Sequence, residues 1–446
     1  MCSGLSAGCL PFAVIVGAIS LSACAPGVDE RQSDEATGSW SAELATFPVD
    51  ITGVTQHLPT PPGAARKLPS GDSLRPGRAR EVEALTIRNY RGYRLLATTA
   101  EATGDIVDWI EPRTVPGSDA EPPPIVLGPN GKTAQMGNVA PLTGGPPGSI
   151  PMIRPQFSSY VSGESGADSL DAFIQNVPAG QPSGQTRLYG GYISTIPNRG
   201  VVSYLNNLFN NGTVETGTFT LFENVAMCRG ANPATDEEFI GAAISRFPAL
   251  GGDSNVRFQT EFFTAGTGAI GNNVGGWAGF VTGLVPASGR MFAPGQQITQ
   301  LSTIGGDQYD IRVDTTRTTD GNWWVALAGS WVGYYPASLF NLIVPNACEM
   351  DWYGEVFDPT PTDWTNDNMG SGNFASTGWQ QSAFIRDPWY VDTAGNYVWA
   401  NNATASAISG LVDAACYTTG PFLASTSPWD RYFFLGGPGG DAAGCN

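Results

Sequence analysis

From about Gln185 to its C-terminus the chain is cut by Gly, Asn and Asp into short apolar or alternating runs: Phe219 to Met227, Phe239 to Phe247, Val256 to Thr264, Trp277 to Leu284, Tyr309 to Thr315, Trp323 to Leu327, Glu349 to Phe357, Ala383 to Ile385 and Tyr432 to Leu435. Such runs between turn residues read as strands, because a helix that buries one face needs a longer uninterrupted period. Gly 57 and Pro 34 make up about a fifth of the 446 residues, against roughly 12% in average usage. The expected fold is all-β, an antiparallel sandwich or barrel without long helices or a repeat of fixed period.

Composition narrows the partners. The formal net charge of −18 repels phosphate backbones and removes the counterion release that dominates nucleic-acid affinity, so no nucleic-acid partner is expected. Hydrophobic residues at 41% and charged residues at 14% give the chain the means to bury a core, the reverse of a disordered polyelectrolyte.

Scarcity narrows the chemistry. His57 is the only histidine, in the polar stretch Gln56-His57-Leu58-Pro59, and Lys67 and Lys132 are the only lysines, all upstream of the strand-rich body. A Ser-His-Asp triad, a Cys-His pair, a histidine-built zinc site, a Ser-Lys pair and a Schiff-base lysine are therefore not expected in that body. Asp307, Asp310 and Asp314 flank a strand and cannot all face one side of it, and Asp363 with Asp367 reads as a solvated turn, so no calcium cage is expected. Gly266 to Gly271 fits the dinucleotide pattern, but Asn and more Gly follow where a helix is required, which makes it a hairpin loop. No cofactor is expected, and hydrolytic work in the body falls to carboxylates, tyrosines, amides or a carboxylate-bound metal.

Phe12 to Ala23 is an apolar run of signal-peptide length, too short to span a bilayer. It ends in Leu21-Ser22-Ala23-Cys24, which resembles a bacterial lipobox. That resemblance implies lipidation of Cys24, an extracellular or cell-envelope location, and membrane contact only through the anchor. The expected organisation is a leader over 1–24, a polar tether over 25–82, a small β module over 83–145, a Gly/Pro-rich linker over 146–184 and the sandwich over 185–446. With Cys2 and Cys9 in the leader and Cys24 as anchor, Cys228, Cys348, Cys416 and Cys445 remain, an even number in an exported chain. Of the three pairings, Cys416 with Cys445 and Cys228 with Cys348 is the one expected.

One strand stands out. Asp351-Trp352-Tyr353-Gly354-Glu355-Val356 sets a glutamate among aromatic residues, which strip water from the carboxylate, raise its pKa and fit it to hold or release a proton. An edge-strand glutamate facing solvent is the alternative reading.

Order and spacing around that strand carry a family resemblance. Trp323-Trp324, then Val332-Gly333-Tyr334-Tyr335-Pro336 with Leu339-Phe340, Tyr353-Gly354-Glu355-Val356, Asn368 to Phe374, Ala415-Cys416-Tyr417 and Phe433 to Gly439 together resemble the neprosin family of glutamic peptidases. Upstream, Pro146 to Pro151 is similar to the short motif that precedes the family's catalytic domain, and Gly104 to Glu111 to a strand of its inhibitory pro-segment. The resemblance implies a secreted β-sandwich endopeptidase with a small N-terminal β pro-segment, made as a zymogen, active in acid, cleaving near proline, and using two glutamates without a metal. Glu355 matches the family's second catalytic glutamate. Gly241 stands where the first is expected, whereas Glu223 takes the place of a glutamine on the preceding strand. The expectation is that amide and carboxylate have been exchanged so that Glu223 faces Glu355, with Glu238 and Glu261 as further candidates.

Two close carboxyls do not readily both ionise, so one keeps a proton and serves as acid while the other, charged, serves as base. Tyr334, Trp352 and Tyr353 are expected to line the cleft and stack on a proline ring of a peptide or protein substrate. Two other readings stay open: an inactive relative that binds peptide or glycan, favoured by Gly241, and a two-carboxylate glycoside hydrolase.

Overall fold

The computed structural model describes residues 93–440, except 125–127, 130–138, 155–185, 211, 213, 215–217, 232–235, 266–273, 279–282, 359–366, 409–413 and 427–428. The leader with Cys24, the residues His57, Lys67 and Lys132, the Gly266 to Gly271 loop, Asp363 and Cys445 lie outside the described residues.

The fold is all-β, with three sheets of antiparallel ladders. The first orders β1 (Leu95–Ala100), β2 (Ile106–Ile110) and β3 (Ile150–Ile153) as β1-β2-β3. Its third strand falls within the segment expected as a linker over 146–184, of which 155–184 lies outside the described residues. Pro151 is compatible with pairing because β3 is an edge strand, where one missing amide donor faces no neighbour. A seven-stranded sheet contains β4 (Thr186–Ser194), β6 (Phe219–Arg229), β7 (Glu237–Arg246), β8 (Val256–Ala265), β9 (Val274–Trp277), β14 (Glu349–Asp358) and β17 (Ser406–Ala407), in the order β17-β4-β14-β6-β7-β8-β9. A ten-stranded sheet runs from β10 (Val285–Pro286) through β13 (Ser330–Tyr335), β12 (Trp323–Leu327), β11 (Asp310–Arg317), β5 (Asn198–Asn206), β15 (Ala383–Asp392) and β20 (Arg431–Gly436) to β18 (Thr418–Thr419); β16 (Tyr397–Trp399) and β19 (Leu423–Ala424) pair with β15 and β20. Among the described residues, helix is confined to Pro248–Gly251 and a few three-residue turns.

The two large sheets form the sandwich. Phe222, Ile240, Ile244, Phe258, Phe262, Met350 and Trp352 point inward from one sheet against Val201, Leu205, Ile311, Val313, Trp323, Val325 and Leu327 from the other. Because side chains alternate along a strand, neighbours in sequence part company. Trp323 enters this core, whereas Trp324 joins Trp331, Tyr334 and Trp389 in a second apolar layer behind the ten-stranded sheet. Chain from the N-terminal segment covers that layer: Trp331 Nε1 donates to the Pro123 carbonyl at 2.6 Å and the Tyr334 hydroxyl to that of Gly117 at 3.1 Å. Two buried arginines fasten the small sheet to the sandwich. Arg257 pairs with Asp105 at 2.8 Å, and Arg290 Nε donates to the Pro151 carbonyl at 2.9 Å.

Cys228 and Cys348 form the expected disulfide, and Cys416 is also disulfide-bonded. Asp310 and Asp314 lie on β11 itself and pair with Arg386 and Arg312, whereas Asp307 accepts from the Tyr309 hydroxyl. No helix among the described residues is long and apolar enough to cross a membrane.

Candidate active site

Alternation also decides which residues leave the core. With Phe222, Ile240, Phe262 and Trp352 turned inward, the intervening positions of the seven-stranded sheet share its opposite face. These include Arg187 and Tyr189 on β4, Tyr353 and Glu355 on β14, Glu223 on β6, Gly241 and Ala243 on β7, and Glu261 on β8.

Glu355 is held by Arg187, which forms an ion pair with Glu355 Oε1. The guanidinium is fixed from beneath by aromatic rings, its carbon 5.1 Å from the Phe357 centroid and 5.5 Å from that of Phe219. Such cation–π seating keeps a buried cation in one place. Burial pushes the Glu355 carboxyl above its ordinary value and Arg187 pulls against that rise.

Glu223 lies directly across the β6–β14 ladder from Tyr353, whose hydroxyl donates to Glu223 Oε2 at 2.7 Å. Tyr353 is braced edge-to-face by Tyr189, with centroids 5.3 Å apart. Burial drives the Glu223 pKa up to about 8; the Tyr353 hydrogen bond moderates the rise and the charge of Glu355 adds to it. The cation paired with Glu355 favours its charged form, whereas burial favours the protonated form of Glu223.

Gly241 leaves a gap on β7, and two carboxylates lean into it. A Cβ at 241 would lie 2.0 Å from Glu223 Oε1 and 3.3 Å from the Cγ of Glu261. Glu261 is the ladder partner of Gly241 on the other side, and its carboxyl and that of Glu223 interact electrostatically across the gap. Desolvation, with the Glu223 charge next in weight, raises Glu261 well above the usual carboxyl range. The face is closed: Glu223, Glu355 and Glu261 are 1%, 2% and 4% exposed.

Other candidates are placed elsewhere. Trp352 occupies an inward position of β14, its Nε1 donating to the Val202 carbonyl at 3.1 Å inside the sandwich, so it does not line this face. Tyr334 belongs to the layer behind the other sheet. Of the three aromatic residues expected in a cleft, only Tyr353 meets the carboxylates. Glu238 alternates inward and accepts the backbone N–H groups of Asn341 and Leu342 at 2.9 and 2.6 Å, a loop-fixing role. Sequence reasoning missed Arg187 and Tyr189; the signal available was the alternation of Thr186-Arg187-Leu188-Tyr189, with a lone cation on the polar side.

The Neprosin family model matches residues 224–438. The chain carries a neprosin domain. Domains of this kind are of the glutamic-peptidase type, which implies a peptide or protein substrate. The matched span opens one residue after Glu223 and contains Gly241, Glu261 and Glu355, whereas Arg187 precedes it. Among solved structures, Scytalido-glutamic peptidase with a peptide-based transition-state analogue is 11% identical, covering 57% of this chain and 99% of its own, with a TM-score of 0.29. SCP-B, a member of the Eqolisin family of peptidases in complex with the tripeptide Ala-Ile-His, is 11% identical over 56% of this chain and 98% of its own, with a TM-score of 0.28.

Proposed function

We propose that the protein is an acid-active endopeptidase in which Glu355 and Glu223 activate water against a peptide carbonyl next to proline. The observation that carries this reading is two buried glutamates on one face in unlike settings, Glu355 paired with Arg187 and Glu223 bonded to the Tyr353 hydroxyl. Glu355, charged, takes a proton from water as its oxygen bonds to the carbonyl carbon. Glu223 gives its proton to the amide nitrogen as the C–N bond breaks, and the proton on Glu355 then restores Glu223. Tyr353 holds Glu223 in one orientation. Tyr189 and Tyr353 supply the aromatic surface on this face for a proline ring.

The closed face supports synthesis in a latent form, since a peptide reaches these carboxylates only once the face is uncovered. The lipobox-like Leu21 to Cys24 supports export and anchoring at the cell envelope. Incubating the full chain between pH ~3 and 7 with a proline-rich protein tests the reading. Wild type is expected to cleave it, Glu355→Gln to lose about 10³-fold or more in kcat/KM, and Glu223→Gln at least about tenfold. Undiminished cleavage by Glu355→Gln removes the assignment. Gly241 favours one competing reading, an inactive peptide-binding module; absence of cleavage after acid incubation and limited proteolysis, with retained peptide binding, would select it.

A further inference from the structure

Glu261 is not used by the two-carboxylate reading, yet it meets Glu223 above β7. Strands β6 and β8 each lie about 4.8 Å from β7, too far for their side chains to touch over bulky residues. Gly241 and Ala243, the ladder partners of Glu261 and Glu223 respectively, keep the space above β7 low. We infer that Glu261 is a catalytic carboxyl, acting with Glu223 as a single acid that shares one proton in place of the side chain missing at Gly241. The inference rests on the reading of Glu355 as the base.

Hydrogen-bond accounting supports the shared proton. Glu223 Oε1 and Glu261 Oε2 are both buried, and neither has a hydrogen-bond partner among the described residues. A buried carboxylate oxygen without a donor is costly, and a proton held between the two carboxyls satisfies both. The charged and titratable groups that act on Glu261 from other strands are Glu223 on β6, Glu355 on β14, Arg187 on β4 and Tyr335 on β13. Arg187, the cation among them, is committed to Glu355. Across the β8–β9 ladder Trp277 brings no charge. The pair thus keeps its proton through burial first and like-charge repulsion second, the condition under which two carboxyls behave as one acid.

The chemistry balances without further reagents. The shared proton passes to the amide nitrogen as the C–N bond breaks and leaves both carboxylates charged. The proton that Glu355 took from water then returns to the pair, and the second water proton stays on the new carboxylic acid.

Rates of the acid-incubated full chain on a proline-containing peptide, read across pH, test the inference. Glu223→Gln and Glu261→Gln are each expected to lose about 10–100-fold in kcat/KM, because the remaining carboxyl still holds a proton. The falling alkaline limb should move to lower pH in both, since the like charge that retained the proton is gone. The double variant should lose about a further 10³-fold. A Glu261→Gln enzyme with wild-type rate and wild-type alkaline limb overturns the inference, as does a Glu223→Gln enzyme as inactive as the double. If neither wild type nor any variant cleaves, the Glu355 reading fails, and infrared titration of the carboxyl C=O band then decides the shared proton alone. One proton should persist above neutral pH in wild type and be lost earlier in Glu261→Gln; identical titrations would refute it. Glu261→Asp, whose shorter chain breaks the contact but keeps the charge, serves if the glutamine variant does not fold.

Discussion

Glu261 stands directly across the β7–β8 ladder from Gly241, so the strand that lacks a functional side chain faces one that has it. From the other flank Glu223 Oε1 enters the same gap. The gap is what lets the two carboxyls meet, which gives position 241 a definite response to substitution.

Gly241→Ala puts a methyl 2.0 Å from Glu223 Oε1. The atom displaced is the end of a flexible side chain, so folding should tolerate the change, within about 1–2 kcal/mol. Peptide hydrolysis should fall by about 10–100-fold because the acid is moved. Thermal melting and kcat/KM measured together check this; an alanine variant with full activity would mean that Glu223 need not occupy the gap.

Arg187→Met should act on the base. Arg187 lowers the proton affinity of Glu355 against the larger effect of burial, so its loss raises the Glu355 pKa and shifts the rising acidic limb of the pH–rate profile to higher pH. Breaking a buried pair from one side also costs about 3–5 kcal/mol, visible as a lower urea midpoint. A profile that keeps its acidic limb would assign that limb to another group.

Stability should fall as pH rises from the mildly acid range. Glu223 has its folded pKa raised from 4.5 to about 8, so it binds a proton in the folded chain where the unfolded chain has released it. Its contribution is complete below the unfolded value and is lost as pH climbs toward the folded one, at up to about 1.4 kcal/mol per pH unit for one proton. Melting temperatures measured between these values should decline in wild type and decline less in Glu223→Gln. A flat wild-type curve would contradict a proton-holding Glu223.

Reduction of Cys228–Cys348, which closes a separation of 120 residues, should remove about 5 kcal/mol on the loop-entropy account. It should also reduce activity, because Cys228 lies on the strand of Glu223 and Cys348 adjoins the strand of Glu355. Comparing denaturation and hydrolysis for wild type and a Cys228→Ser/Cys348→Ser variant measures both effects.

Asp105→Asn should loosen the N-terminal sheet. Asp105 pairs with buried Arg257 on β8, the strand that carries Glu261 about 13 Å further along. Limited proteolysis should release the segment containing β1 to β3 faster than in wild type, with earlier onset of hydrolysis. Unchanged release would place the hold elsewhere, for example at Arg290 and Pro151.

The sandwich was legible because period-two patterning and turn residues act locally: Trp323 to Leu327 and Glu349 to Phe357 announce strands wherever they pack. Glu355 was legible for the same reason, as an acid inside an aromatic strand. The placement of Trp352 and Tyr334 away from the carboxylate face was not legible, because aromatic content does not tell which face a residue takes, and that depends on which side of its strand the partner sheet lies. Strand β3 escaped notice because Pro151 and the preceding glycines read as breakers until an edge position is available. The role of Arg187 depends on β4 pairing with the distant β14, which no local window contains, whereas Glu261 was within reach as a candidate because β6, β7 and β8 follow one another in the sheet.

The trough over Gly241 and Ala243 has a consequence for how relatedness is judged. On an open sheet, chemistry is set by the point in space where a side-chain tip arrives, and tips rooted on three adjoining strands reach much the same point. A glutamate erased from one strand is then recoverable by its neighbours, and a search keyed to a single position in the alignment would score this chain as inert while the proton still has somewhere to sit.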